Sequence, residues 1–312
     1  MVLLDIAALA LGLAVLSKAS SLVVESSSRV SSALKISNLA VAFVIISVLT
    51  SLPELAISSI ASLENVNAIA VGNIFGSVVA NVLLVFGIGA LFRDGINMSA
   101  ARDDTALMSG YLEIAVVSII AGAVLLSVEI GFAQSILLIL AFVLYSMYMF
   151  KEHKNEAKTA SAEDKSLNGA AVFFVSVIFV ILSSELIVNS VVAIAHAVAI
   201  EEGIIGATII AIGTSVPELS ISIQALRKKD YGIALGTVVG SNIVDMTLVL
   251  GTAGLIRPLG ITLAPLLASL GFAFLASIAL LYMMLTKEKI RRTEGLVLLG
   301  IYAVYLIVTL YL

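Results

Sequence analysis

Two glutamates in this sequence each follow a proline inside an otherwise apolar stretch. The pairs Pro53-Glu54 and Pro217-Glu218 lie 164 residues apart, and neither apolar stretch contains a Lys or Arg. A carboxylate at the centre of a membrane-spanning helix costs roughly 2.5–3.5 kcal/mol on insertion scales. Because no basic partner is available in either stretch, we expect these glutamates to bind a cation and not to form a structural ion pair.

Backbone oxygens are expected beside the two carboxylates. A proline within a helix removes one backbone hydrogen bond and breaks or kinks the helix. The carbonyls of Thr50 and Thr214, just before the prolines, are then expected to lack a partner, which is tolerable at membrane depth only if another group satisfies them. Carboxylates, carbonyls and hydroxyls together are the oxygen ligands that Ca²⁺ prefers. The sequence therefore predicts a Ca²⁺ site at Glu54, Glu218, Thr50 and Thr214.

A second segment of the sequence recurs at the same offset of 164 residues. The matching positions are Ser51 and Ser215, Gly72 and Gly236, Gly76 and Gly240, Ser77 and Ser241, and Asn81 and Asp245. Each Asn or Asp falls four positions after its serine, so the two side chains share one helix face. The glycine spacing predicts close packing between helices. Matching at one offset through two segments indicates an internal duplication.

The elements that position these residues are predicted to be membrane spans. Of 312 residues, 61% are hydrophobic and 12% are charged, whereas a soluble domain carries about 25% charged residues. There is no Cys, which excludes disulfides and thiolate metal sites. The first apolar run lacks a preceding basic segment and is interpreted as a span, not a cleaved signal. Ten runs fit spans, with approximate limits 2–25, 38–61, 66–91, 105–126, 130–150, 169–198, 203–226, 231–256, 262–285 and 294–312.

A polar segment of mixed charge divides the chain into equal halves. We predict a first five-helix repeat at 1–150, a solvated cytoplasmic linker at 151–168 and a second five-helix repeat at 169–312. An odd number of spans per half makes the second half enter the membrane from the opposite side, as in many secondary transporters. The predicted fold class is an all-α integral membrane protein of ten transmembrane helices, arranged as two inverted repeats with broken helices at the midplane.

The distribution of basic residues predicts the orientation in the membrane. Of the 17 Lys and Arg residues, only Lys18 and Arg257 lie outside the odd-numbered connections between spans. Cytoplasmic connections carry an excess of Lys and Arg. The odd connections are therefore expected in the cytoplasm, which places both termini outside the cell membrane.

Both recurring segments resemble the alpha repeats of the calcium/cation antiporter superfamily. The resemblance is carried by Thr50-Ser51-Leu52-Pro53-Glu54, Gly72-Asn73, Gly76-Ser77 with Asn81, Gly213-Thr214-Ser215-Val216-Pro217-Glu218, and Gly240-Ser241-Asn242 with Asp245. It implies that Glu54 and Glu218, with backbone oxygens of Thr50 and Thr214, ligate Ca²⁺. It also implies that the counter-ion uses Ser51, Ser77, Ser215, Ser241, Asn81 and Asp245. One Asn and one Asp after the serines are similar to the sodium-driven prokaryotic members.

Two departures from the family pattern bear on the counter-ion. Leu49 stands where the second repeat has Gly213, and Thr237 stands where the first repeat has Asn73. A bulky residue beside the first helix break disfavours the close backbone approach that a sodium cage needs. Protons need no cage, since two neighbouring carboxylates repel each other and at least one then readily takes up a proton. The sequence therefore favours H⁺ over Na⁺ as the counter-ion.

The predicted function is antiport of Ca²⁺ against H⁺ by alternating access, with Na⁺/Ca²⁺ exchange as the alternative. A cation channel is the alternative of another class, although channels usually line a continuous pore with ligands from several subunits. The sequence lacks the nucleophile or His-rich motif of a membrane enzyme, so no enzymatic activity is expected. The expected partners are Ca²⁺, a monovalent counter-ion and the lipid bilayer, with no cofactor and no nucleic acid. The oligomeric state is left open.

Two further glutamates lie within predicted spans. Glu185, in the sixth span, either lines the path to the site or faces water near its mouth. Glu113, in the fourth span, is expected to snorkel or to pair locally and not to bind the transported ions.

Overall fold

A computed structural model describes residues 2–65, 67–92, 95–98, 104–125, 129–154, 167–197, 211–259, 263–286 and 288–311. The chain is almost entirely helical over this part. The helices are α1 Val2–Leu34, α2 Asn38–Ala40, α3 Ser47–Thr50, α4 Leu52–Leu63, α5 Asn67–Ala90, α6 Asp104–Leu125, α7 Phe132–Glu152, α8 Leu167–Ala197, α9 Ala211–Thr214, α10 Val216–Arg227, α11 Tyr231–Val244, α12 Leu250–Ile256, α13 Leu263–Thr286 and α14 Arg292–Tyr311. Two π-helical turns interrupt them, π1 Val41–Ile46 and π2 Asp245–Val249.

The long helices carry the apolar surface of a membrane protein. Over the described residues, seven helices are long and apolar enough to cross a membrane, and the bent pair formed by Asn38–Thr50 and Leu52–Leu63 adds an eighth span. Helices α1, α7, α8 and α14 expose large apolar side chains such as Leu3, Leu137 and Phe179. Contiguous apolar surface of this kind is unfavourable in water and matches lipid. The chain is therefore a multi-pass membrane protein.

Helices α5 and α11 form the centre of the molecule. Every residue from Ile233 to Val244 in α11 is buried, and most of the apolar stretch of α5 is enclosed. Helix α11 packs against π1, α3, α5, α6 and α10, and α5 packs against α4, α13 and α14. The two central helices carry Ser77, Asn81 and Ser241, so the folding pattern buries the predicted site residues at the middle of the bundle.

The glycine spacing that recurs in both halves gives close packing at three of the four positions. A Cβ atom at Gly236 would lie 2.8 Å from the Cβ of Ala42, and one at Gly240 would collide with Ser47. The predicted close packing is confirmed at these two glycines, which allow α11 to approach π1 and α3. It is also confirmed at Gly76, where an added Cβ would lie 3.1 Å from Tyr305 Oη of α14. It is wrong at Gly72, where an added Cβ would meet nothing within 4 Å.

Helix α1 extends further than the sequence analysis predicted. Its apolar run weakens near residue 25 because of serines and charges, but the helix continues to Leu34. The hydroxyls of Ser26 and Ser27 donate to carbonyls of the preceding turn, at 2.5 and 2.8 Å. Serines satisfied in this way can stay within a helix. The last two residues of the predicted linker, 167 and 168, belong to α8. Residues 155–166 of the linker and residues 203–210 of the seventh predicted span lie outside the described residues.

Three backbone pairings connect the ends of the helices. Strands β1 (Ile96–Asn97) and β2 (Lys289–Ile290) pair antiparallel. Isolated bridges join Ile36 to Lys154 and Ile130 to Leu259. In the ten-span numbering, the first two pairings join odd connections to odd ones. The third joins Ile130, the first residue after the fourth connection, to Leu259 in the eighth connection.

Candidate cation-binding site

Each Pro-Glu motif lies at a break between two helices. Ser51 separates α3 from α4 with φ −83° and ψ 11°, and Ser215 separates α9 from α10 with φ −85° and ψ 3°. The nearly identical angles show that the two halves break in the same way. In the first half the helix changes direction by 43° at this point. The prediction of a helix break at each motif is confirmed.

The prolines free carbonyls one residue earlier than the sequence analysis assumed. A proline lacks the N–H that would reach the carbonyl four residues before it, which belongs to Leu49 in the first half and to Gly213 in the second. Leu49 is half-buried and packs against the core. Gly213 is needed because a Cβ there would collide with the side chain of Val188. The proposed ligands Thr50 and Thr214 follow directly after these freed carbonyls.

The two motif carboxylates are buried at the starts of α4 and α10. Glu54 and Glu218 are each 1% exposed and lie in the first helical turn. Each carboxylate interacts with the backbone amide of its own residue. The N-terminus of a helix carries a partial positive charge, which offsets part of the negative charge that burial makes costly.

The serine of the second recurring segment contacts the glutamate of its own half. Ser77 Oγ donates to Glu54 Oε1 at 3.5 Å, and Ser241 Oγ donates to Glu218 Oε1 at 3.5 Å. Both serines are fully buried. The identical distances place the two carboxylates in equivalent surroundings, one on each half.

The threonines instead cross between the halves. The Thr214 side chain interacts with the carboxylate of Glu54, and the Thr50 side chain interacts with that of Glu218. Ser51 Oγ also donates to Glu218 Oε1 at 3.2 Å. The structure therefore brings Glu54, Glu218 and both threonines to a single site that the two halves build together.

Asn73 ties the two halves together at this point. Its Nδ2 donates to the backbone carbonyl of Glu54 at 3.3 Å and to Ser58 Oγ at 3.0 Å, and its Oδ1 accepts from Thr214 Oγ1 at 3.2 Å. Its counterpart Thr237 is buried, and the Thr237 hydroxyl has no hydrogen-bond partner among the described residues. Because Thr237 replaces an asparagine, the second half lacks the side-chain hydrogen bonds that Asn73 makes in the first half.

Several buried oxygens at these positions have no hydrogen-bond donor within the described part of the chain. They are Glu54 Oε2, Glu218 Oε2, Asp245 Oδ1 and Oδ2, Asn81 Oδ1 and Ser215 Oγ. Burying a polar atom without a partner costs about 1–3 kcal/mol, and more for a charged group. Asp245 also lies within electrostatic range of Glu54 and Glu218. Bound cations would satisfy these oxygens together.

The carboxylates do not form a metal site by themselves. Within the described ranges, no three His, Asp or Glu side chains converge closely enough to hold a metal ion. A cation bound here would therefore also need hydroxyl, amide and backbone oxygens. Such a mixed oxygen shell is usual for Ca²⁺.

A cavity of about 570 Å³ opens beside the site. It is lined by Pro53, Thr214 and Pro217 from the two helix breaks, and by Glu185 from α8. Glu185 is exposed, which agrees with the expectation that it faces water. It also lines the cavity that reaches the two Pro-Glu motifs, which agrees with the expectation that it lines the path to the site.

Glu113 does not snorkel, contrary to expectation. It is 1% exposed, and its Oε1 accepts hydrogen bonds from Ser277 Oγ at 2.6 Å and from Asn242 Nδ2 at 3.0 Å. Both partners are more than 120 positions away in the sequence, so no local pattern indicated this burial. One signal was available, because Ser277 lies 164 residues after Glu113 and is its counterpart in the second half.

Comparisons with known proteins agree with this architecture. The family model described as "Sodium/calcium exchanger protein" matches residues 4–151 and again residues 168–311. The chain is 28% identical over 360 residues to the sodium/calcium exchanger MaX1 of Methanosarcina acetivorans, covering 100% of both chains. It is 32% identical over 233 residues to the inner membrane protein YrbG of Escherichia coli, covering 70% of each.

Solved structures give the same answer. A structure of the sodium-calcium exchanger NCX_Mj soaked with zero Na⁺ and Ca²⁺ superposes with a TM-score of 0.84 at 27% sequence identity, covering 97% of this chain and 98% of that one. The family model spans nearly the whole chain and the fold is shared over the same length. The chain therefore belongs to the sodium/calcium exchanger family, within the calcium/cation antiporter superfamily.

Proposed function

We propose that this protein exchanges Ca²⁺ for a monovalent cation across the cell membrane by alternating access. The observation that carries the proposal is the site at which both halves meet. The two buried glutamates lie on opposite halves with unpartnered oxygens around them. Ser51 of the first half donates to Glu218 of the second at 3.2 Å, and Thr214 Oγ1 of the second half lies 3.5 Å from Ser77 Oγ of the first. Ca²⁺ would bind Glu54 and Glu218 with backbone oxygens of Thr50 and Thr214, and both carboxylates would be needed to balance its charge.

We propose Na⁺ as the counter-ion, with H⁺ as the alternative. The sequence favours H⁺, because protons need only carboxylates. However, the buried oxygens without donors include the amide oxygen of Asn81 and the hydroxyl of Ser215, and neither group takes up a proton under ordinary conditions. Oxygens of this kind serve a metal cation. The Na⁺ sites would use Ser51, Ser77, Ser215 and Ser241 together with Asn81 and Asp245.

Competition for binding distinguishes the two counter-ions. We expect Na⁺ to displace ⁴⁵Ca²⁺ cooperatively from the purified protein at constant ionic strength, because several Na⁺ ions would occupy oxygens of one shared site. The variant Asp245→Asn should shift the Na⁺ dependence more than the Ca²⁺ affinity. If Na⁺ has no effect and Ca²⁺ affinity instead falls steeply as the pH is lowered, the counter-ion is H⁺.

We further propose that the chain forms ten spans as two inverted five-helix repeats. Support comes from the family model, which matches once on each side of the linker, and from the equal geometry of the two helix breaks. Two of the three backbone pairings join odd connections, and the third joins the end of one even connection to another, which also agrees with strict alternation across the membrane. Residues 1–150 and 169–312 would then be the two repeats, joined by a linker at 151–168.

The orientation of this topology can be tested by labelling. Because the chain has no native Cys, single cysteines can be introduced at Ser161 and Glu202, both outside the described residues. We expect an impermeant thiol reagent added to intact cells to label the cysteine at position 202 and not the one at 161, because basic connections stay in the cytoplasm. Both termini would then face outside. Labelling at 161 but not at 202 would reverse the orientation.

A further inference from the structure

A chain of three buried side chains leads away from the proposed cation site. Asn81 Nδ2 on α5 donates to Asn242 Oδ1 on α11 at 3.1 Å, and Asn242 Nδ2 donates to Glu113 Oε1 on α6 at 3.0 Å. All three residues are at most 1% exposed. The chain therefore links a glutamate outside the recurring segments to one of the proposed ion ligands.

The chain has a fixed direction. An asparagine side chain has an oxygen acceptor on one side and an NH₂ donor on the other. Glu113 Oε1 accepts from the NH₂ of Asn242, so the Asn242 oxygen faces Asn81 and receives the Asn81 NH₂. The oxygen of Asn81 is left on its remaining side, where it is buried and has no donor in the described part of the chain. The direction is the same whether or not Glu113 Oε2 carries a proton.

We infer that Glu113 is a positioning residue, which acts through Asn242 to hold the oxygen of Asn81 towards the bound cation. An amide oxygen attracts a cation, whereas an amide NH₂ in the same place would repel it. If Asn242 could turn over, Asn81 could turn with it and would exchange a ligand for a repulsive group. This inference rests on the proposed function, because it assumes that Asn81 contributes to cation binding.

The second half of the chain supplies an internal comparison. At the offset of 164 residues, Asp245 replaces Asn81, and the position of Asn242 corresponds to Val78 in the first half. An aspartate carboxylate presents an oxygen at either end and needs no partner to orient it. Asn81, whose side chain has chemically different ends, therefore has an amide beside it that can orient it. In the first half, the position that corresponds to Asn242 is the apolar Val78.

The counterpart of Glu113 in the second half is not a glutamate but Ser277. Ser277 lies in α13, is buried, and donates its hydroxyl to Glu113 Oε1 at 2.6 Å. This is the same oxygen that accepts from Asn242. Ser277 therefore provides a matched control, since its removal takes one bond from Glu113 but leaves the bond from Asn242 to Glu113 intact.

The test measures binding of ⁴⁵Ca²⁺ and of ²²Na⁺ separately to the purified full chain. We expect Glu113→Leu to weaken binding of at least one of these ions about 10–100-fold, as is typical when a partner that orients a ligand is lost. Ser277→Ala should stay within about twofold of the unmodified protein. Glu113→Gln should retain most of the affinity, because its amide oxygen can accept the same hydrogen bond. Glu113→Leu with both affinities unchanged would overturn the inference.

A second set of variants, made in the Asn81→Asp protein, distinguishes two roles for Glu113: orienting Asn81 or only packing the helices together. In Asn81→Asp, either end of the side chain presents an oxygen, and one of these oxygens faces the Asn242 oxygen that Glu113 holds in place. Adding Glu113→Leu lets Asn242 turn its NH₂ towards the new carboxylate, so the affinity should not fall further. If Glu113 merely held the helices together, its loss would weaken both backgrounds equally, which would contradict the inference. If Asn81→Asp alone destroys binding, Asn242→Leu is combined with Glu113→Leu instead. The double variant should be no weaker than either single variant, and additive losses would overturn the inference.

The same measurements keep the two proposals apart. An unmodified protein that binds neither ion would refute the proposed function, and the inference would fall with it. An unmodified protein that binds both ions, with Glu113→Leu indistinguishable from it, would refute the inference alone. Size-exclusion profiles in detergent confirm that each variant remains folded.

Discussion

Replacing either motif glutamate by glutamine is expected to reduce Ca²⁺ transport to the level of liposomes without protein. Glu54→Gln and Glu218→Gln keep the shape of the side chain but remove one negative charge from a buried site. A divalent cation in such a site needs both charges, because the surrounding hydroxyls and carbonyls supply only dipoles. Neither substitution should unfold the protein, since a neutral amide is less costly to bury than a carboxylate.

The matched control is Glu64→Gln, which removes an exposed carboxylate at the other end of α4. It should transport at the normal rate. The measurement is ⁴⁵Ca²⁺ uptake into proteoliposomes of equal protein content, with size-exclusion profiles in detergent as the test of folding. Ca²⁺ uptake near the normal rate by either Glu54→Gln or Glu218→Gln would refute the assignment of the Ca²⁺ site.

Fixing α1 to the core is expected to stop exchange while leaving Ca²⁺ binding intact. Helices α1 and α8 contact each other extensively, and both bury small residues, among them Gly12 and Ser20 on α1 and Ser184 on α8. We propose that this pair slides across the helices that carry the Pro-Glu motifs. A face of small side chains can shift without the rearrangement of large groups. The proposed inverted repeats would supply two equivalent end states.

The structure offers a specific position for the cross-link. Ser20 Oγ on α1 lies 2.6 Å from Ser220 Oγ on α10, so cysteines at these two positions are expected to form a disulfide under mild oxidation. Each single cysteine variant, treated with the same oxidant, is the control, and reduction should restore exchange. Exchange at the full rate in completely cross-linked protein would refute the sliding mechanism.

One existing contact would have to break during such a movement. Lys228, the residue directly after α10, has its Nζ 2.7 Å from Glu25 Oε1 on α1 and donates to the carbonyl of Ser21 at the same distance. Both charged side chains are substantially exposed, and exposed ion pairs contribute at most about 1 kcal/mol. A contact of this strength can hold α1 in one position without preventing its release.

The helix breaks and the duplicated site were predictable from the sequence because they depend on local chemistry. A proline in an apolar run breaks a helix wherever the run is placed, and a buried glutamate needs a cation or another partner. Thr50, Thr214, Glu54 and Glu218 meet because the duplication puts the same motif at the same place in each half. The pairing of each glutamate with the threonine of the other half required the structure.

The surroundings of the site depend on contacts between distant segments and were less predictable. Glu113 is buried because Asn242 and Ser277 meet it from other helices, and hydropathy alone cannot show such a meeting. The π-helical turns before Ser47 and at Asp245 likewise arise from tertiary packing and have no clear sequence pattern. The end of α1 was misplaced because hydropathy indicates which residues can lie in the membrane, whereas the helix continues beyond them to Leu34.

The central claim is that Ca²⁺ moves only in exchange for another cation. The most direct test is ⁴⁵Ca²⁺ uptake into proteoliposomes of the unmodified protein, with outward gradients of Na⁺ or of H⁺ imposed separately and the membrane potential clamped. We predict uptake above the concentration of the outside medium with the Na⁺ gradient and none without an imposed gradient. Uptake driven only by the H⁺ gradient would identify H⁺ as the counter-ion and would still support antiport. Ca²⁺ flux that simply follows its own gradient, with no opposing cation required, would contradict the account and indicate a channel.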